Sequence, residues 1–222
     1  MFEGQNIYIV DTEVLHSPDD LPTGWNNKAA LGLSIGGAYS YRAQRILWFD
    51  SHTLESMLIQ WVDEQPLLVG FNSLAFDFPL FRAVLRARAN ALRGDPQPGE
   101  LTIERVHGRA EAANLHTLCD AFKALAATGY DILHEVWQVA GRSFERGLNS
   151  LDALCAANNL GQKTGTGAHA PKLWQQGEIA AVLNYCTQDI LLTKALFELI
   201  LTNQGTIQRR DGPLTVALPR LP

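Results

Sequence analysis

The run Ile7-Tyr8-Ile9-Val10-Asp11-Thr12-Glu13 constrains this chain more than any other stretch, because an apolar segment leads straight into two carboxylates one residue apart. Isoleucine, valine and tyrosine in an unbroken run read as a strand. Strand side chains alternate faces, so Asp11 and Glu13 project to the side that Ile7 and Ile9 occupy and continue a buried face. Two like charges held there repel each other and lose hydration. They must take up protons or share a cation, and a metal ion is the simpler answer. The alternative is a strand that merely leaves the core into a solvated loop.

The next segments extend this strand into a sheet. After a polar, Pro-containing loop from His16 to Asn27, the stretch Ala30 to Ser40 alternates Leu31, Leu33 and Ile35 with Gly32 and Ser34 and reads as a second strand. Gly36-Gly37 predicts a bulge or bend within it. Arg45 to Phe49 reads as a third strand, giving an antiparallel meander with the two acids at one end. From His52 to Glu64, Leu54, Met57, Leu58, Trp61 and Val62 recur at helical spacing. Pro66 to Asn72 then has the character of a buried strand returning parallel to the first, since a crossover helix precedes it.

That strand runs into Asn72-Ser73-Leu74-Ala75-Phe76-Asp77, and a helix is expected from Phe78 to about Arg93, with Pro79 in its first turn. Asp77 alone reads as an N-cap. Gly94 to Gly99 is a break, and the segment from Glu100 to Thr128 is expected to hold a short strand, Leu101 to Val106, and a helix with Leu115, Leu118, Phe122 and Leu125. A short strand at Tyr130 to Leu133 comes next, then a helix through Val139 and another from Ser150 to Asn158, capped by Ser150. Gly165 to Ala170 fits the dinucleotide pattern Gly-x-Gly-x-x-Ala. The context is wrong for it, because a helix precedes the glycines and Pro171 interrupts the segment after them; a connector is the better reading.

Glu178 to Leu201 is the strongest helix, with Ile179, Val182, Leu183, Cys186, Ile190, Phe197, Ile200 and Leu201 as its buried stripe. Tyr185 and Asp189, four apart, sit together at the stripe's edge. A carboxylate on a mostly apolar row needs a partner, and no lysine or arginine lies three or four residues away. The plain alternative is a solvated rim aspartate. Thr206 to Arg210 and Leu214 to Leu218 flank Asp211-Gly212 as a terminal hairpin at 204–222.

Composition narrows the function classes. The 222 residues suit a single domain, 46% hydrophobic and 18% charged residues are ordinary for a globular protein, and no apolar stretch is long enough to span a bilayer. The start shows no secretory pattern, so a cytoplasmic location away from membranes is expected. Cys119, Cys155 and Cys186 are odd in number and widely spaced, which argues for buried thiols over disulfides or a thiolate zinc site. A net charge of −5 argues against a broad basic surface that grips nucleic acid by counterion release.

Taken together, Asp11-Thr12-Glu13, the stretch from Asn72 to Asp77 as Asn-x-x-x-Phe-Asp, and Tyr185-Cys186-Thr187-Gln188-Asp189 as Tyr-x-x-x-Asp resemble the three motifs of the DEDD 3′-to-5′ exonucleases, in the branch with a tyrosine in the third motif. Ser150-Leu151-Asp152 with Leu160-Gly161 and Lys163 is similar to the matching stretch of family B polymerase and helicase-associated exonuclease domains. The resemblance implies an α/β, ribonuclease-H-like mixed sheet, an antiparallel meander plus parallel strands, flanked by helices; the long interval between Asp77 and Tyr130 departs from the family's pattern and reads against it as an insertion at 94–129. It implies that Asp11, Glu13, Asp77 and Asp189 hold two divalent ions, Mg²⁺ or Mn²⁺, and that Tyr185 orients an attacking water. It also implies that Leu15, Asn72 and Phe76 position the terminal nucleotide of a single-stranded 3′ end of DNA or RNA, and that a helicase or polymerase is the partner. Arg82, Arg86, Lys163 and Lys172 are expected to assist along the strand; for the two arginines, on a helix, a solvated face is the alternative. A module that binds nucleic acid or a partner without turnover is the alternative.

Overall fold

The alternation within the first strand sets the architecture. In the computed structural model, which describes residues 2–93, 103–141, 147–163 and 169–222, β1 (Ile7–Val14) sends Tyr8 and Val10 into one hydrophobic core and Ile7 and Ile9 into another. It is the central strand of a five-stranded mixed sheet. β2 (Leu33–Ser40) pairs antiparallel with β1, and β3 (Arg45–Phe49) antiparallel with β2. On the other side β4 (Leu67–Gly70) runs parallel to β1, and β5 (Tyr130–Asp131) parallel to β4. The expected meander and parallel return are both present.

Helices cover both faces because both carry apolar residues. α2 (Leu54–Glu64), α3 (Asp77–Arg93) and α4 (Ile103–Ala126) close the face of Tyr8 and Val10. Trp61 of α2 stacks on Phe122 of α4 with ring centroids 6.2 Å apart. α5 (Ile132–Ala140), α6 (Leu151–Ala157) and α8 (Ile179–Thr202) close the other. No helix among the described residues is long and apolar enough to cross a membrane.

Several expectations change. Residues 103–106 are the first turn of α4, not part of a strand, and residues 94–102 lie outside the described residues. α4 buries Ala112, Leu115, Cys119, Phe122 and Leu125 in the core, so the segment that reads as an insertion supplies a structural layer. Ala30 and Leu31 belong to a short helix, α1 (Lys28–Leu31), whose first turn is capped by Asn27, and β2 starts at Leu33. Leu133 likewise lies in α5, because Asp131 caps that helix two residues earlier. Pro171 sits in the first turn of α7 (Ala170–Gln175), where its missing N–H costs nothing, so it starts a helix; 164–168 fall outside the described residues. Ile179, the first residue of α8, is exposed. The terminal hairpin pairs β6 (Thr206–Arg209) with β7 (Gly212–Thr215), so its second strand begins at the glycine and ends before Leu218.

Gly36 and Gly37 do not bulge; their pairing with Thr12 and Asp11 is regular. Their use is close approach. A Cβ on Gly37 would lie 2.5 Å from Cδ1 of Ile190, so the bare backbone lets α8 settle onto the sheet beside Asp11. The irregularity falls one step later, between Glu13 and Val14, where β2 carries the extra residue Ser34 and its hydroxyl donates to the Glu13 carbonyl at 2.9 Å.

Candidate metal centre

Three elements bring carboxylates to the C-terminal end of β1. Asp11 and Glu13 come from the strand itself, on the face covered by α8. Asp77 is the first residue of α3, reached by a loop from β4, and Asp189 lies in the middle of α8. Glu13, Asp77 and Asp189 are all buried. Asp11 stands in the electrostatic field of Asp189, Glu13 and Asp77 together. Among the described residues, Asp11 Oδ2 and Asp189 Oδ1 are buried and find no hydrogen-bond donor. Natural proteins seldom leave buried carboxylate oxygens in that condition without a use for them.

Burial and mutual repulsion govern the protonation of this group. Desolvation first, then Asp189, Glu13 and Asp77, push the Asp11 carboxyl well above its ordinary range, with Lys163 opposing. Glu13 is raised by burial and by Asp189 and Asp77. Burial takes Asp77 up to about 7 against the pull of a hydrogen bond from Thr12. Asp189 is raised by burial as well, although Lys163 works against the rise. Four acids that resist ionising together would be relieved by a cation, and buried oxygen donors of this kind suit a hard one.

Thr12, Asp131 and Lys163 hold the acids in place; the sequence singles out Lys163 alone among them, and as a contact for the strand, not as the partner of Asp189. Thr12, on the opposite face of β1 from its neighbours, donates its hydroxyl to Asp77 Oδ1 at 2.5 Å. Asp131, at the end of β5, accepts from the backbone N–H of Asn72 and of Leu74, each at 2.9 Å, and caps α5 through His134 N–H. That clamp fixes the loop leading to Asp77, where Asn72 is held at φ 68°. Lys163, in the turn after α6, places Nζ 2.5 Å from Asp189 Oδ2 and 3.3 Å from the Tyr185 hydroxyl. Burial alone would lower its pKa, but Asp189 raises it above the ordinary value, so it is a fixed ammonium. Asp152 accepts from the Lys163 backbone N–H at 2.8 Å and sets the turn that delivers it.

Tyr185 lies one turn before Asp189, half-buried, with its hydroxyl held neutral by a pKa raised to about 12, mainly by burial and the Asp189 charge. Cys186 joins Asp11 and Glu13 in a group whose ligand atoms lie within 4.8 Å of one another. Its thiol is kept protonated by burial and by those same acids, and it donates to the Asp11 carbonyl at 3.6 Å, so it reads as a neighbour to the carboxylates. All three cysteines are free and buried.

The other expected site residues surround this centre at different depths. Phe76 packs its ring edge against Trp25 beside Asp77, and Leu15 is half-buried just beyond the acids, its carbonyl accepting from Gln175. Asn72 meets the site through its backbone, held by Asp131. Arg86 is engaged by Asp120 of α4 at 3.0 Å, and Lys172 is exposed on α7. Of the four basic residues expected to assist, Lys163 alone is placed by a hydrogen bond to one of the acids. Compared with protein-family models and with curated proteins, the chain matches none.

Proposed function

We propose that this protein is a metal-dependent 3′-to-5′ exonuclease on a ribonuclease-H-like fold, hydrolysing phosphodiester bonds at single-stranded DNA or RNA ends. The observation that carries the reading is the convergence of Asp11, Glu13, Asp77 and Asp189, from two helices and a strand, into one mutually repelling group with buried, donorless oxygens. The order of the motifs and the mixed sheet β3-β2-β1-β4-β5 support the same reading. The 3′-to-5′ direction rests on the motif resemblance.

Asp11, Glu13, Asp77 and Asp189 would hold divalent ions, Mg²⁺ or Mn²⁺ by their oxygen chemistry. When bound, such ions supply positive charge at the scissile phosphate and make an attacking water more acidic. The side chains do the positioning. Tyr185, neutral at physiological pH, holds a water by a hydrogen bond without adding an anion to the site. Lys163 fixes both the Tyr185 hydroxyl and Asp189, and Thr12 fixes Asp77. Leu15 and Phe76 flank the acids as apolar surfaces for the terminal nucleotide, on a loop that Asp131 holds at Asn72.

Incubation with 5′-labelled single strands of DNA and of RNA in Mg²⁺ or Mn²⁺ tests the reading. Stepwise shortening supports it. The Lys163–Asp189 ion pair, which neutralises one acid without metal, favours the second reading, a module that binds strands without turnover; its result is binding with no shortening.

A further inference from the structure

The loop between β1 and β2 carries an exposed indole against Phe76, the residue before Asp77. Trp25, in a 3-10 turn at Gly24–Asn26, is 54% exposed, unusual for a residue with so much apolar surface. It is not loose. Its ring meets the edge of Phe76 at 5.5 Å between centroids, inclined by 73°. The Lys28 ammonium sits 4.3 Å from the Phe76 centroid and 5.7 Å from that of Trp25. Asn27 caps the short helix that bears Lys28, and Leu31, fully buried, anchors it to the core.

Phe76 is the residue immediately before Asp77, and the Asp77 charge acts on Lys28. An aromatic face, a held cation and the carboxylate cluster thus succeed one another along a short path. Single-stranded nucleic acid is bound by this pairing of a stacking ring with a positive charge for the backbone. The chain's net charge of −5 gives a local cation particular weight.

Resting on the exonuclease reading, we infer that Trp25 and Lys28 form a strand-binding subsite: a nucleobase of the strand entering the acidic site stacks on the Trp25 indole, and Lys28 pairs with a backbone phosphate. Phe76 holds both. The ordered loop presents the pair already arranged, which lowers the entropy lost on binding.

The test is binding of a short 5′-fluorescein-labelled oligothymidylate, measured by anisotropy on an Asp189→Asn background so that the strand is not consumed. Trp25→Ala is expected to weaken binding roughly 5- to 100-fold, the loss of one base–aromatic stack, and Trp25→Phe to stay within about twofold. Lys28→Ala is expected to reduce the salt slope of log K by about 0.7, which a merely structural lysine would not do. Binding by Trp25→Ala equal to that of the parent overturns the inference and leaves the nuclease reading intact, provided the wild-type chain shortens strands. A wild-type chain that neither binds nor shortens them overturns both. Circular dichroism and melting temperature establish that each variant is folded.

Discussion

Lys163 Nζ lies 2.5 Å from Asp189 Oδ2 across 26 residues of sequence, and the same ammonium reaches the Tyr185 hydroxyl at 3.3 Å. One cation therefore holds both polar residues of the α8 row. Lys163→Met leaves Asp189 in a buried group of acids with no counter-charge. Breaking a pair this enclosed costs on the order of 3 kcal/mol, so the metal-free melting temperature near pH 8 is expected to fall by roughly 6–12 °C. An unchanged melting temperature would show that the pair contributes nothing to the fold.

Asp11→Asn and Asp189→Asn are expected to abolish strand shortening while the fold is retained. Millimolar Mn²⁺ should raise the melting temperature of the wild-type protein by roughly 5–10 °C through binding to the native state. The same variants should lose most of that rise. Removing a charge from a repelling group also predicts that metal-free Asp11→Asn melts no lower than wild type. A full Mn²⁺ shift in Asp11→Asn would exclude Asp11 as a ligand.

The raised acids give an unusual pH dependence. A carboxyl whose pKa is higher in the fold than in the unfolded chain binds more protons when folded, so stability is greatest below the unfolded value and declines as pH rises toward the folded one. For Asp77 the window runs from 3.8 to about 7, and Asp11 and Glu13 shift in the same direction. In EDTA the contribution of this group should make the melting temperature fall from about pH 4 to about pH 7, with the decline flattened in Asp11→Asn. The Mn²⁺ shift should grow over the same range. An identical pH profile in wild type and Asp11→Asn would contradict the assigned protonation.

Asp131 acts at a distance from the chemistry. Asp131→Ala removes the acceptor for Asn72, Leu74 and His134 N–H groups together. The expected cost is roughly 2–4 kcal/mol in a urea titration, since a helix cap and a loop clamp are lost at once. Asp131→Asn keeps one acceptor oxygen and should lose about half as much. The Mn²⁺ shift should shrink in both, because the clamped loop ends at Asp77. Wild-type stability in Asp131→Ala would rule out the clamp.

Local residue order was enough to place the strands and most helices, because period-two and helical spacings are local properties that burial reads directly. It also marked Asp11, Glu13 and Asp189 as acids in settings where a charge is costly, while Asp77 on its own read as an N-cap and joined them only through the motif resemblance. It set β4 parallel to β1, since a helix must cross between them. The groups that answer those charges emerge only when the chain is folded. Thr12 faces Asp77 across 65 residues, Lys163 reaches Asp189 from the turn after α6, and Asp131 grips a loop 59 residues away. Neither spacing nor periodicity encodes such pairings, because each depends on where two distant backbones come to rest. Residues 103–106 fail as a strand for the same reason: the helical course of α4 is consolidated by burying Leu115, Cys119 and Phe122 against α2 and α3, a contact no local window contains.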